Sequence, residues 1–580
     1  MNVCLSILTV FFTLPLFANS VSISAGQDQF LQKMPDALAS YMGFPSRYGD
    51  NLASACFQFN TYSSPLIACN PKNPKQIVAV MNQDPYSSID ESGSFPQFFR
   101  MQHLEVAISA SQDAGVTWKS SNIPLHVSLG GTVSDGVEVS SISWSPNGDK
   151  VVITGHFSDM RSGINNRASP ESGIWYAESS DAGLTWKEAV LSNQPSDANP
   201  LTATIAEGTP TCAFDPVLLH HAYIAWDRPQ YVTTAASGVP VQMYGNLYFS
   251  RSTDLAESFS NPVQMYDIKQ DLGKNGQCVG VSLCATQDGT NSQNLVASFM
   301  RYYPTNGTSF DKTYETTTTD RVVVTSSDHG VSWDETATKV ASFIYAQEYN
   351  PDLTKLKGLQ FPPLDGSERS HMVQSPKTGR LYLVFQAGSL HATSRRTALE
   401  HPEIVLSRSK DFGKKWSKLC TVSKTYDAVK ASKQDPLSST AYQAFNCNIA
   451  WLEPNLVGII YYDHRNYREP GVAATDVWVA IYKECSDDDG GSTGVGLDFV
   501  KEIRLTDQSF DANQIQSGGY ISGGFGPNLG ITAGDTGFFS AYSQVGAITS
   551  VESQCVQQDG ENYCANVDTS ERLTARFQKV

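Results

Sequence analysis

Positive charge is scarce in this sequence. It carries 41 Lys and Arg against 58 Asp and Glu, a formal net charge of −17. An acidic surface repels phosphate backbones, so nucleic acid is not an expected partner. Only 17% of the 580 residues are charged and 40% are hydrophobic, the balance of a globular chain and not of a disordered one. No segment after residue 17 is apolar enough to span a membrane. No C-x-x-C pair occurs, so a zinc ribbon or a thioredoxin-like site finds no support. Sustained 3.6-residue periodicity is also missing, Gln29–Met42 being the one segment that approaches it, so helices are expected to be few. No cofactor or resident metal is expected. Asp487, Asp488 and Asp489 read as a solvated hairpin tip rather than a cation site.

Residues 5–17 are almost wholly apolar and lead into Ala18-Asn19-Ser20, a small-x-small cleavage pattern. Residues 1–20 therefore read as a secretory signal peptide, although no Lys or Arg precedes the apolar run, and the protein is expected to be secreted or extracytoplasmic. Ten cysteines follow the signal, an even number in an exported chain, which predicts that most are paired. Cys555 with Cys564, flanking Asp559-Gly560, is the first choice, and Cys56 with Cys69 the second.

What the sequence does have is a repeat. Ser111-Gln-Asp113-Ala-Gly115-Val-Thr117-Trp118 recurs at Ser179–Trp186 and Ser326–Trp333, more loosely at Ser409–Trp416, and in decayed form at Ser252–Phe259. The pattern S-x-D-x-G-x-[ST]-W describes a hairpin tip. Its Asp accepts backbone N–H groups, its Gly supplies positive φ, and its aromatic residue packs beneath the turn. The five Asp positions fall 68, 73, 74 and 83 residues apart, so each unit holds more than one hairpin. Upstream of each copy lies a second alternating strand pair, such as 66–84, 141–159 and 444–463.

Four strands per unit, repeated radially, predict an all-β fold, a β-propeller of four-stranded blades. Seven upstream pairs, the last at 529–543, favour seven blades, with six as the alternative. Residues 21–60 form an N-terminal segment that could close the ring, and residues 61–580 the propeller itself. The boxes occupy strand 3–4 turns, so the ends of the second strands and the strand 4–1 loops gather on the opposite face. Those segments are rich in Arg, Asp and Tyr: Asp84, Asp159-Met-Arg161, Asp227-Arg228, Arg301-Tyr302-Tyr303 and Tyr461–Arg465, with Glu138, Glu207, Glu368-Arg369 and Tyr442 on the loops. Such a ring suits a polar, acidic sugar. The same residues are also the kind that tie neighbouring blades by bidentate Asp–Arg bonds.

The repeat resembles the BNR or Asp-box repeat of the sialidase (neuraminidase) superfamily, across nearly the whole mature chain. The resemblance implies a secreted exo-glycosidase acting on sialic acid or a related acidic sugar, with a Tyr nucleophile, a Glu base, an Asp acid/base and arginines around the substrate carboxylate. Gln277–Val279 with Met300-Arg301-Tyr302 looks like the segment of the second arginine, and Gly366–Arg369 with Gly379-Arg380-Leu381 like that of the third. Ala441-Tyr442-Gln with 458–462 looks like the nucleophile segment. The resemblance thus assigns Tyr442 as nucleophile and Arg301 and Arg369 as substrate arginines. Arg161, Arg228 and Arg465 are further candidates. No acid stands at Gly276 or Gln277, and no Arg stands near 62–65, so Glu207 substitutes for the base, and Asp90 or Asp84 for the acid/base. The alternative is a non-catalytic propeller that binds glycans or proteins.

Overall fold

The computed structural model describes residues 20–22, 61–84, 105–122, 136–159, 171–195, 203–205, 208–233, 240–305, 317–343, 368–390, 401–432, 442–467, 474–485, 492–511, 528–546, 554–558, 561–565 and 572–579. Within these the chain is almost entirely antiparallel sheet. Two short helices, Ile268–Leu272 and Thr425–Ala431, follow the outer strands of two sheets.

Six blades are each built from four consecutive strands, ordered in space as in sequence. Blade I comprises Thr61–Cys69, Ile77–Asp84, Glu105–Ser111 and Lys119–Asn122. Blade II comprises Gly136–Trp144, Val151–Asp159, Glu171–Ser179 and Lys187–Pro195. Blade III comprises Thr211–Phe214, Ala222–Thr233, Pro240–Ser252 and Val263–Tyr266, and its long second strand also carries Ala203–Ile205. Blade IV comprises Gln277–Asp288, Asn291–Pro304, Thr317–Ser326 and Thr338–Ser342. Blade V comprises Ser370–Gln374, Leu381–Gly388, Pro402–Ser409 and Cys420–Thr421. Blade VI comprises Ala444–Leu452, Leu456–Asp463, Ala474–Glu484 and Leu497–Arg504.

A composite sheet joins blade VI to blade I. Gly530–Ala533 and Phe538–Gly546 pair with each other, Phe538–Gly546 pairs with Arg572–Lys579, and that strand pairs with Ser20–Ser22. The first strands of neighbouring sheets pack against one another all the way round, from blade I through blade VI to Gly530–Ala533 and back. The expected count is corrected in one respect: six blades, not seven, are runs of four consecutive strands. The pair at 529–543 takes its third strand from Arg572–Lys579 and its outer strand from Ser20–Ser22, at the opposite end of the chain.

The core lies between blades. Val78, Val80 and Ile108 of blade I pack with Val139, Val151 and Trp175 of blade II, and Tyr223 and Phe249 of blade III with Leu295 and Val322 of blade IV. Each blade is therefore apolar on both faces, which is why its second strand reads as a nearly unbroken hydrophobic run.

The repeated turns fold alike. In blade I the Ser111 hydroxyl donates to Asp113 Oδ1 (2.8 Å) and accepts from Gly115 N (2.8 Å). Thr117 donates to Asp113 through both its amide (2.8 Å) and its hydroxyl (2.6 Å). These bonds hold the Asp113 carboxyl below its usual range, with the Thr117 hydroxyl and amide contributing most. Two consecutive residues take positive φ, Ala114 at 62° and Gly115 at 85°. The decayed copy keeps the shape with Leu255 at 61° and Ala256 at 62°. The tryptophans of the turns are half-buried at equivalent places, less deeply than an anchor role suggests.

The expectation of mostly paired cysteines is also corrected. Cys69, Cys212, Cys278, Cys284, Cys420, Cys447 and Cys485 form no disulfide. Several behave as small apolar side chains: Cys212 packs between blades II and III, Cys278 between III and IV, and Cys447 between V and VI. Cys69, proposed to pair with Cys56, instead points its thiol at the Pro74 carbonyl (3.5 Å), and Cys56 lies outside the described residues.

Candidate active site at the propeller mouth

The repeated turn supplies a common register. Its serine stands opposite Ile77, Val151, Ala222, Leu295 and Leu381 in blades I to V. Five residues further along the second strand lie Asn82, His156, Asp227, Met300 and Gln386. This position faces the next blade, close to where that blade's first strand begins.

Three of these residues perform one task. The first strands of blades II, IV and VI break register between Val139 and Ser141, Val279 and Ser282, and Phe445 and Cys447. A bulge leaves an N–H outside the ladder, and a buried N–H needs an acceptor. Val139 N donates to Asn82 Oδ1 (2.8 Å), and Asn446 N donates to Gln386 Oε1 (3.0 Å). At the third site the Gly280 N–H donates to the carboxylate of Asp227. An amide does this work in blades I and V, whereas blade III places an ionisable acid there.

Asp227 is only 5% exposed. The Thr209 hydroxyl reaches Oδ1 at 3.5 Å, and any side chain at Gly208 would overlap the carboxylate. Burial, and after it the charge of Glu368, push its pKa up to about 7, although Arg369 and the Gly280 amide act the other way. The acid is thus poised at neutral pH, the condition for proton transfer to or from a substrate.

Arg369 lies beside it at the start of blade V. Its Nη1 donates to the Ser140 carbonyl at 2.9 Å, across the axis of the ring in blade II. Burial lowers its pKa to about 10, against the opposing charges of Asp227, Glu138 and Glu368. Glu138 in turn stands 3.9 Å from His156. Ser140 and Arg369 line the central channel, a cavity of about 380 Å³ walled by the first strands, with Ser141, Thr211, Ser282, Ser370 and His371 among its small and polar residues. Burial, helped by Arg369 and Arg321, depresses His371 to about 3, so its ring is neutral.

The structure brings few of the expected site residues together. Arg369 points into the channel. Arg301, 4% exposed, is committed elsewhere: Nη1 donates to Tyr266 Oη (2.8 Å) and Asp271 (2.7 Å), and Nη2 stands 3.5 Å from Asp320, at the junction of blades III and IV. Arg228 stacks on Tyr248, 3.7 Å from the ring centroid, and reaches Ser192 of blade II. Arg465 is locked by Asp463, Glu502 and Tyr461 over the face of Trp478. Tyr442 is half-buried in an aromatic nest with His401 and Tyr426, its ring centroid 5.0 and 5.5 Å from theirs, packed on Val429 and Tyr467. Glu207, Asp90, Arg161 and Asp487–Asp489 lie outside the described residues. Asp227, Glu138 and Glu368 were visible in the sequence only as members of a ring. Counting five residues from the partner of the box serine singles out Asp227.

No family model matches the sequence, and no curated protein matches it. Among solved structures the chain is similar to a leech intramolecular trans-sialidase complexed with 2,7-anhydro-Neu5Ac (TM-score 0.42, 11% identity, covering 87% of this chain and 82% of that one). It is also similar to the α-L-arabinofuranosidase Arb93A of Fusarium graminearum (TM-score 0.40, 11% identity, 69% and 88%) and to the Hadza microbial sialidase Hz136 (TM-score 0.37, 12% identity, 82% and 73%). The fold is a β-propeller. Its four-stranded sheets circle one channel and carry the Asp-box turns on one face.

Proposed function

We propose that this protein is a glycoside hydrolase whose chemistry takes place at the propeller mouth, with Asp227 as the general acid. The observation that carries this reading is a buried carboxyl held near pH 7 at a position where two sister blades use an amide. Its neighbour Glu368 is exposed, and the two carboxyls occupy opposite environments. Environments that drive two acids apart suit one for protonating a leaving oxygen and the other for stabilising or hydrating the sugar cation.

The reading as a sialidase, with Tyr442 as nucleophile and several arginines around a carboxylate, draws support among the described residues from Arg369 alone. Arg301, Arg228 and Arg465 already have partners. A non-catalytic glycan-binding propeller is the competing class. Export follows from residues 1–20 and belongs to the proposal, as does counting the composite sheet as a seventh blade closed by both chain ends. A fluorogenic screen spanning neutral glycosides and sialosides tests the central claim. Turnover should appear in the natural protein and fall by about 10²–10⁴ in Asp227→Asn. Equal turnover in the variant, or glycan binding without turnover of any substrate, would refute it.

A further inference from the structure

We propose that Arg369, Ser140 and Asn528 form a subsite for two neighbouring hydroxyl groups of an uncharged sugar, an inference that rests on reading the mouth as a sugar site. Three sheets converge on the Val139–Ser140 bulge of blade II. Asn82 of blade I accepts the Val139 amide, Arg369 of blade V donates Nη1 to the Ser140 carbonyl, and Asn528, which leads into the composite sheet, donates Nδ2 to the Val139 carbonyl at 3.4 Å. Each of the three subsite residues keeps one atom buried with no hydrogen-bond partner in the protein: Arg369 Nη2, Ser140 Oγ and Asn528 Oδ1. The residues are 9%, 3% and 0% exposed. Buried polar atoms are nearly always bonded, so three orphans around one bulge mark a place where something else supplies the partners. Two of these residues line the channel cavity, whose volume of about 380 Å³ falls within the range of small-molecule sites, about 300–1,000 Å³.

The orphan atoms specify the chemistry. Nη2 only donates, Oδ1 only accepts, and the Ser140 hydroxyl does either. Their complement must accept at one atom and donate at another. A hydroxyl does both, and a vicinal pair matches the set. A carboxylate has no proton to offer and would meet the Asn528 oxygen with like polarity. With Nη1 already bonded, the end-on guanidinium fork that grips carboxylates is closed. The field agrees: Glu138, Asp227 and Glu368 all act on the Arg369 guanidinium, so its charge is already offset by carboxylates of the protein.

Saturation-transfer difference NMR on the whole chain reads binding without turnover. Methyl galactoside and methyl mannoside serve as neutral probes, and a methyl sialoside and methyl glucuronide as anionic ones. Saturation should pass to the neutral pair and not to the anionic pair. Ser140→Ala removes a hydroxyl with no partner in the protein, so its melting temperature should be unchanged while neutral-sugar affinity falls about five- to tenfold, the worth of one hydrogen bond. Asn528→Ala should weaken binding by a similar factor. Preference for the anionic probes, no binding by either pair, or unchanged affinity in both variants would overturn the subsite. Neutral-sugar binding without turnover of any glycoside would instead support the subsite and remove the hydrolase reading. Turnover confined to sialosides would do the reverse.

Discussion

At the scale of single residues, the informative contrast is between Asp227 and its register mates Asn82 and Gln386. All three sit where a neighbouring bulge presents an N–H, and an amide oxygen satisfies it as well as a carboxylate does. Asp227→Asn should therefore keep the fold and gain stability where the acid is costly. Well below pH 4 the carboxyl is protonated in both folded and unfolded chains. Between there and about pH 7 the unfolded chain ionises first, which drains stability, and above pH 7 the loss is complete. The variant should thus be more stable than the natural protein by about 4 kcal/mol at pH 8 and no more stable at pH 3, as chemical denaturation at the two pH values would show. If the mouth hydrolyses glycosides as proposed, kcat/KM of the natural protein should fall on the alkaline side with an apparent pKa near 7. A flat profile through that range would remove Asp227 from the acid role.

The glycines of the repeated turns permit a second residue-level test. Gly115 and Gly330 share the same backbone strain, φ 85° and 82°. A methyl group at 115 would meet Trp118 at 3.6 Å, ordinary contact, whereas at 330 it would overlap the Phe249 ring. Gly115→Ala should cost about 1–2 kcal/mol of left-handed strain, and Gly330→Ala a further 1–3 kcal/mol of overpacking. Equal melting temperatures for the two variants would contradict this account.

At the scale of elements, what the sequence revealed depended on whether the physics was local. The Asp-box turns were legible because all their bonds close within eight residues, so Ser, Asp, Gly and Thr appear at fixed offsets. Strand pairs were legible for the same reason. Which way a strand-end arginine faces was not. Arg228 and Arg301 each sit one residue beyond the mouth register, after Asp227 and Met300, and one step along a strand turns a side chain to the other face. Motif likeness cannot detect that step. The bulges were equally hidden, because Ser64 and Asn446 take positive φ with no glycine to announce it.

The cysteine reading failed for a related reason, since even numbers say nothing about distance. One pair survives at backbone level. Cys555 and Cys564 are directly opposed in the hairpin of Gln554–Gln558 with Glu561–Ala565. Direct opposition in an antiparallel pair brings Cα atoms within about 4.5–5.5 Å, inside the range a disulfide spans. Non-reducing peptide mapping should recover this bridge and alkylated thiols at the seven cysteines that form no disulfide. A bridge between any two of those seven would contradict the fold. Burial pushes Cys69, Cys212, Cys284, Cys420 and Cys447 up to about 12, so their thiols should survive an oxidising compartment unmodified.

At the scale of the whole molecule, the propeller class followed from repetition alone, but closure did not. The ring is completed by pairing Phe538–Gly546 with Arg572–Lys579 through eight residues of register. Removing residues 570–580 should expose that edge and both flanking blade faces. The truncated chain should lose its cooperative melting transition or aggregate, whereas truncating the chain start through residue 22 removes only a three-residue pairing and should cost far less. A truncated chain that melts like the full one would show that the composite sheet closes nothing.

The bonds from Arg369 to Ser140 and from Asn528 to Val139 also stiffen the ring. They join blade V and the composite sheet directly to blade II, so these sheets cannot spread apart without breaking a buried bond. Anything that enters the described cavity must fit the width those bonds set.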